Sequence, residues 1–297
     1  MNKVLETVSE ELAALVSSVP GIVRVEGRRR LPASGVAWSA EGVIVTAEHV
    51  VRRDESIRVG LPDGESAEAS LVGRDPSTDL AVLRLVSGRA ANPTWRATDD
   101  LKVGHLAVAV GRPGKTVQAT LGIVSAVGGP FQTGMGGAIE RYLQTDAVMY
   151  PGFSGGAFVT ADGRVAGVMT SGLLRGVSLA VPTETVRRVV ETLLQHGRIR
   201  RGFLGVGAQT VPLPEAVAAQ AGQITGLLVM SVEPGSPADQ GGMLLGDTLL
   251  SLEGSSLQSM EDLFGALSGE RVGKSVEIGL LRGGQLKSVK VTIGERG

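Results

Sequence analysis

The chain has no cysteine among its 297 residues. Disulfides, thiolate metal sites and a cysteine nucleophile are thereby excluded, and a chain of this length can hold its fold without covalent staples. Aromatic residues are scarce at 3%, and there are only three histidines, so any imidazole chemistry must use His49, His105 or His196. An excess of charge of one sign is also missing. The 29 basic and 30 acidic residues leave a net charge of −1, which gives no electrostatic case for nucleic acid or an anionic membrane surface. No run approaches the roughly 18 apolar residues of a transmembrane helix. The N-terminal stretch "MNKVLETVSEELAALVSSVPG" does not read as a signal peptide, because Glu6, Glu10 and Glu11 fall where its apolar core would be. On the sequence as given the expected location is cytoplasmic, with the periplasm or cell envelope as the alternative.

What is present is apolar and rich in glycine: 42% hydrophobic residues and 43 glycines, enough for a sizeable core in about two domains. Val4, Leu5, Val8, Leu12, Leu15 and Val16 fall at helical spacing, which predicts an amphipathic helix within residues 1–20. From 21 to about 180 the pattern becomes short alternating runs such as "GVIVTAEHVV", "DLAVLRL" and "GRVAGVMTS", broken by turn residues. Such spacing predicts an all-β barrel or sandwich. "VPTETVRRVVETLLQHG" returns to helical period, with Val186, Val189, Val190, Leu193 and Leu194 on one face and Gly197 placed to stop it. The basic segment at 198–202 reads as a linker. Residues 203–297 form a second, small α+β unit ending in a hairpin around "RGG". "GRPGKT", Gly111–Thr116, has two residues between its glycines where a phosphate-binding loop needs four. It reads as a turn with a solvated lysine, and no nucleotide or other cofactor, and no metal, is expected.

The chemistry concentrates in "YPGFSGGAFV", Tyr150–Val159. A serine among three glycines is either a turn hydroxyl or a nucleophile whose neighbouring N–H groups a reacting carbonyl must approach. A nucleophilic Ser154 needs a base and an orienting acid. His196 ends a helix, where a partly positive imidazole suits the dipole, and His105 flanks a strand. His49 follows the strand "VIVTA", a place from which a loop can aim an imidazole. Asp79 lies immediately before the apolar strand "LAVLRL", while Asp75 fits the role of turn cap. His49, Asp79 and Ser154 come in the order found in chymotrypsin-like enzymes.

"TAEHVV", "DPSTDLAVLRL", "LQTDAVMYPGFSGGAF" and "RRGFLGV" resemble, in order, the landmarks of the HtrA/Deg family of serine proteases. The resemblance runs from about Gly21 to the C-terminus. It implies a chymotrypsin-like double β-barrel at 21–197 followed by a PDZ domain at 203–297. It makes His49 the general base, Asp79 its orienter and Ser154 the nucleophile. The oxyanion hole would be the N–H groups of Gly152 and Ser154, with Phe153 between them. The loop "TSGLLRG" would shape the specificity pocket through Thr170, Ser171, Gly172 and Leu173. In the PDZ unit "GFLGV", Phe203–Val206, would take a peptide C-terminus on the N–H groups of Leu204, Gly205 and Val206. Met260, Leu263, Phe264 and Leu267 would line the groove, a spacing that equally suits plain core. The family also implies a homotrimer and unfolded or damaged protein clients.

Two positions depart from the family pattern. Phe153 and Glu48 stand where asparagine is usual, the first beside the oxyanion turn and the second beside the base, where a close carboxylate raises a histidine pKa. The expected activity is an ATP-independent serine endoprotease; the alternative is a silent protease fold that holds peptides without cutting them.

Overall fold

The computed structural model describes residues 3–174, 176–267 and 269–295. The chain divides into two compact units, one of residues 1–133 and 138–199, the other of residues 134–137 and 200–297. The first unit opens with α1 (Lys3–Ser18) and continues as strands. These are β1 (Ile22–Glu26), β2 (Ala33–Ser39), β3 (Val43–Ala47), β4 (Ile57–Gly60), β5 (Ser66–Asp75) and β6 (Leu80–Leu85). They close into a barrel in the order β1-β2-β3-β6-β5-β4. β7 (Leu106–Gly111) and β8 (Gln118–Val127) begin a second barrel, and β9 (Phe131–Gln132) and β10 (Ala138–Ile139) form a small ladder. β11 (Leu143–Thr145), β12 (Ala157–Thr160), β13 (Val165–Thr170) and β14 (Ser178–Pro182) complete the second barrel in the order β11-β14-β13-β12-β7-β8. This is the chymotrypsin-like double barrel that the resemblance implied, where the alternating pattern alone left barrel and sandwich open.

Alternation explains why the strands close. Val23, Val25, Ile44, Ile57, Val59 and Leu83 point into the first barrel, and Ala107, Ala109, Val124, Phe158 and Met169 into the second. The intervening residues Val43, Val45, Leu80, Val82, Val168 and Val181 pack with α2 (Thr183–His196) through Val186, Val189, Val190 and Leu193. Strands apolar on both faces are what two packed barrels require, since a single sheet face cannot bury both sets. Leu194, assigned from its spacing to the same face of α2, is instead exposed. Gly197 ends α2 with φ +71° and its N–H on the Leu193 carbonyl, the left-handed stop expected of glycine.

α1 splits its apolar stripe. Leu12, Leu15 and Val16 pack against the cluster around Ile22, Val108 and Val159, whereas Val4 and Leu5 remain 66% and 67% exposed. The turn between β12 and β13 is held by Asp162. Its carboxylate accepts from Thr160 Oγ1 (2.6 Å), Arg164 N (3.2 Å), Arg164 Nε (2.8 Å) and Arg96 Nη1 (3.0 Å). Burial pushes this carboxyl up, but the hydrogen bonds from Thr160 and Arg164 and the charge of Arg96 outweigh it and lower the pKa to about 2. A carboxyl depressed on folding stabilises the protein above its unfolded pKa and loses that contribution as the pH falls toward 2. Asp162→Asn is therefore expected to lower Tm at neutral pH by the equivalent of less than about 1 kcal/mol, since the site is partly exposed. Melting curves of the two proteins should converge between about pH 4 and pH 2.

The second unit is smaller and mixed. It holds β15 (Gly202–Phe203), β16 (Val206–Pro212), α3 (Glu215–Ala221), β17 (Thr225–Val232), α4 (Pro237–Gln240), β18 (Thr248–Leu252) and β19 (Ser255–Ser256). α5 (Met260–Ala266), β20 (Ser275–Arg282), β21 (Gln285–Thr292) and β22 (Gly294–Glu295) follow. β16-β17-β18-β20-β21 form the main sheet, so β16 and β21 are its edges. The hairpin β20–β21 turns on Gly283 (φ +58°) and Gly284 (φ +79°), two consecutive positive φ values that glycine supplies without strain. α4 lies inside "EPGSPADQGG", which reads as a plain turn; Ser236 caps it with Pro237 in the first turn. α5 starts on a reciprocal capping box between Ser259 and Asp262.

Candidate active site

His49 is delivered by β3, whose five residues are all buried, followed by a single helical turn over Glu48–Val50. That turn is pinned at both ends, Val51 N–H to the Glu48 carbonyl (2.9 Å) and Glu48 N–H to the Asp79 carbonyl (3.0 Å). Asp79 owes its position to the preceding turn. The Asp75 carboxylate accepts from Ser77 N (3.1 Å), Ser77 Oγ (2.6 Å) and Thr78 Oγ1 (2.8 Å), as expected of a capping aspartate. The chain then leaves the turn through Asp79 at φ +54°, a conformation that aspartate tolerates better than most residues.

This places the Asp79 carboxylate against the imidazole. His49 Nδ1 lies 2.8 Å from Oδ2 and 3.0 Å from Oδ1, and His49 N–H donates to Oδ1 at 2.9 Å. Thr170 Oγ1 also donates to Oδ2, and in turn accepts from Gly172 N–H at 2.9 Å. A carboxylate buried this deeply needs such donors to offset its lost hydration. An ionised carboxylate cannot donate, so Nδ1 carries the proton and Nε2 is left with the lone pair. Gly172 is required here by space: a Cβ would stand 2.6 Å from Asp79 Oδ2 and 2.8 Å from His49 Nδ1.

The Glu48 carboxylate turns away from this pair to Arg74, 3.5 Å from Nη1, and Arg74 also engages Asp54 and the Val51 carbonyl. The other two histidines lie elsewhere: His105 is exposed just before β7, and His196 is exposed at the end of α2. Among the described residues no group of three His, Asp or Glu is arranged to hold a metal.

Ser154 sits in a turn whose hydrogen bonds are almost fully assigned. Phe153 N–H donates to Tyr150 O (3.0 Å), Gly155 N–H to Met169 O (2.8 Å) and Gly156 N–H to Phe153 O (2.8 Å). The exceptions are Gly152 N–H and Ser154 N–H, which have no acceptor among the described residues. Phe153 N–H, between them, is spent. Gly152 has φ +92°, and a Cβ there would meet Pro113 Cβ at 2.5 Å and Pro32 O at 2.8 Å. Its carbonyl accepts from Ser34 Oγ at 2.7 Å, and Ser34 Oγ accepts from Arg112 N–H at 2.7 Å. The Phe153 ring is 1% exposed, packed among Phe158, Met169 and Leu143, with Tyr150 edge-on at 5.9 Å. The bulky residue thus anchors the turn in the second barrel's core and does not crowd the serine. Ser154 Oγ is 3.2 Å from Ser171 Oγ, and among the described residues no hydrogen bond joins Ser154 to His49.

The loop after β13 differs from its expected use as a pocket wall. Thr170 points inward, 1% exposed, with its hydroxyl on Asp79. Leu173 packs against the cluster of Val168 and the α2 valines. Ser171 and Gly172 are the exposed residues beside Ser154 and His49, and Arg175 lies outside the described residues. Ser34 is the contributor that sequence reasoning missed: a fully buried serine near the start of β2, with no turn signal to flag it.

In the second unit, Phe203 pairs with Gly294 at the end of β15. Leu204 and Gly205 bridge to the edge strand β16, with Gly205 at φ +82°. Their carbonyls accept from Ala238 N–H and Glu233 N–H, both at 2.8 Å. Because a trans peptide sets C=O and N–H on opposite sides, the N–H groups of Gly205 and Val206 point away from those partners. Leu204 N–H and Gly205 N–H have no acceptor among the described residues. The Leu204 side chain is core, as are Leu263 and Leu267, while Met260 and Phe264 are half-buried.

Residues 33–168 match the trypsin-like peptidase domain and residues 202–293 the PDZ domain. The solved structure of the HtrA-type protease AlgW with decapeptide superposes with a TM-score of 0.76 at 30% identity, covering 96% of this chain and 98% of that one. The chain belongs to the HtrA-type serine proteases. The serine endoprotease from Yersinia pestis gives the same TM-score at 31% identity, covering 97% of this HtrA-type chain and 98% of that one. The probable periplasmic serine endoprotease DegP-like of Ectopseudomonas mendocina is 37% identical, over 93% of this chain and 60% of that protein. The periplasmic pH-dependent serine endoprotease DegQ of Escherichia coli K12 is 34% identical, over 88% of this chain and 58% of that protein. The chain thus spans somewhat over half the length of these curated relatives. Their names correct the cytoplasmic expectation, for both are named as periplasmic endoproteases, the first as a probable one. Among the described residues no helix is long and apolar enough to cross a membrane.

Proposed function

We propose that this HtrA-type chain is a serine endopeptidase using Ser154 as nucleophile, His49 as general base and Asp79 as its orienter. The observation that carries this reading is the pair of unspent N–H groups at Gly152 and Ser154, flanking one that is spent. A turn that satisfies its other backbone donors while leaving these two open is built to receive an oxyanion. In the reaction, His49 Nε2 takes the Ser154 proton as Oγ attacks a peptide carbonyl. The two N–H groups hold the resulting oxyanion, and the imidazolium, stabilised by Asp79, passes its proton to the leaving amine. Water then repeats the sequence on the acyl-enzyme. Ser154 Oγ must leave Ser171 to reach His49, a rotation about one bond that substrate entry would drive. That resting contact is also the one feature favouring the second reading, a latent fold that holds polypeptides without cutting them. Incubation with casein distinguishes them: new peptide termini support the peptidase, and intact casein after prolonged incubation supports the latent fold.

The proposed substrates are unfolded or damaged polypeptides, with the PDZ unit taking their C-termini by strand addition to β16. The decapeptide in the AlgW structure supports a peptide ligand for this family. A free carboxylate would accept from the Leu204 and Gly205 N–H groups. Calorimetry of residues 1–297 with free-acid and amidated forms of one apolar-ended peptide should show affinity at least about 10-fold weaker for the amide, the loss of roughly one charge-assisted hydrogen bond. Equal affinities would mean that this loop is only a strand start.

The assembly proposed is a homotrimer, supported by the exposed Val4, Leu5 and Val8 on α1. A single short helix gains little by holding an apolar face in water. Light scattering of a chain lacking residues 1–19 should give one-third of the full-length assembly mass. An unchanged mass would remove the support.

A further inference from the structure

On the first barrel lies a cavity of about 260 Å³ lined by Arg24, Gly60, Leu61, Gly64, Arg112, Gly114 and Lys115. Three cations converge on it, and two are incompletely satisfied. Arg112 is 6% exposed, and among the described residues its buried Nε has no hydrogen-bond partner. Its Nη2 donates to the carbonyls of Pro62 (3.2 Å) and Lys115 (2.8 Å). Among the described residues Arg24 Nε is likewise buried without a partner, although its Nη2 meets Glu26 Oε1 at 2.5 Å. Gly60, its cross-strand neighbour, leaves the guanidinium room, since a Cβ there would come within 3.1 Å of Nε.

Two guanidinium groups and a lysine lining one cavity repel one another unless an anion lies between them. Burial, and then the charge of Arg24, lower the Arg112 pKa against the opposing pull of Asp63. The guanidinium fork matches two oxygens of a tetrahedral anion, and a lysine adds a third, point-charge contact. The volume is just below that of pockets for drug-sized ligands and leaves ample room for phosphate or sulfate. "GRPGKT" lacks the spacing of a nucleotide-binding loop, but Lys115 lines this cavity and is not merely a solvated turn lysine.

We propose that Arg24, Arg112 and Lys115 form a binding site for a compact tetrahedral oxyanion, and that its occupancy bears on the Ser154 turn. The connection is short. Arg112 N–H donates to Ser34 Oγ, Ser34 Oγ donates to the Gly152 carbonyl, and Pro113 abuts Gly152. An anion that ties down 112–115 therefore stiffens the segment on which the Gly152 peptide rests. The binding stands without any assumption about catalysis. The coupling rests on Ser154 being the nucleophile.

Isothermal titration of the full chain with inorganic phosphate at constant ionic strength should give one saturable site per chain, with sulfate competing and acetate giving none. Arg24→Gln and Lys115→Gln should each weaken it at least about 10-fold, the loss of one charge-assisted contact. Lys115 is exposed and Arg24 partly exposed, so these variants test the site even if Arg112→Gln fails to fold. No saturable heat, acetate binding as well as phosphate, or affinity unchanged in both variants would overturn the proposal. For the coupling, saturating phosphate should change the rate of Ser154 modification by a fluorophosphonate at least about two-fold, and the change should vanish in Arg24→Gln. A rate insensitive to phosphate would overturn the coupling. A Ser154 that never reacts would instead overturn the proposed function and leave the titration result standing.

Discussion

Ser154→Ala is expected to lower casein cleavage by about 10⁶-fold, to the limit of detection, and His49→Ala by a similar factor. Nucleophile and base act as one unit, so the double variant should be no worse than either single one. Stability should barely respond. Among the described residues the Ser154 hydroxyl has one partner, the hydroxyl of the exposed Ser171, so its removal leaves no buried donor orphaned and should cost less than about 1 kcal/mol. Unchanged melting with lost cleavage separates chemistry from folding. Cleavage by purified Ser154→Ala comparable to the parent would remove the assignment.

Asp79→Asn should reduce turnover by about 10⁴-fold while leaving the fold intact. Asparagine is nearly the same size and tolerates the left-handed φ of +54° found here, so the turn need not change. What changes is the proton. An amide NH₂ facing His49 Nδ1 would favour the tautomer with the proton on Nε2, which cannot then accept from Ser154. Thr170→Val is a graded companion. It removes one donor to the carboxylate and the acceptor of Gly172 N–H, and an expected 10- to 100-fold loss corresponds to roughly 1.5–3 kcal/mol for a hydrogen bond to a charged group. Kinetics on a fluorogenic peptide would check both. A Thr170→Val enzyme as impaired as Asp79→Asn would mean that the hydroxyl does more than hold the carboxylate.

The barrels and the His49–Asp79 contact were legible in the sequence because they follow from local patterns. Alternating runs put apolar faces inside, "DPSTD" encodes a capped turn that ends on Asp79, and the glycines of "YPGFSGGAF" mark where the backbone must be open. What was not legible depends on groups far apart in sequence. Nothing near Thr170 announces that its hydroxyl meets a carboxylate 91 residues earlier, and Ser34 reaches Gly152 across 118 residues. Phe153 departs from the family pattern beside the oxyanion turn, and its size is visible in sequence while the core packing that takes its ring is not. Glu48 looked close to the base because it is adjacent in sequence, but Arg74 on β5 draws it away. Leu194 matched the helical period yet faces solvent, while Val186, Val189, Val190 and Leu193 take the buried positions of α2.

The central claim is that Ser154 is an activated nucleophile beside a formed oxyanion site, and one measurement tests it most directly. The purified chain is treated with a serine-directed fluorophosphonate, digested and analysed by mass spectrometry. A single adduct on Ser154, absent from His49→Ala, is the predicted result. A chain that stays unmodified while melting cooperatively, or that carries its adduct on another serine, would contradict the account.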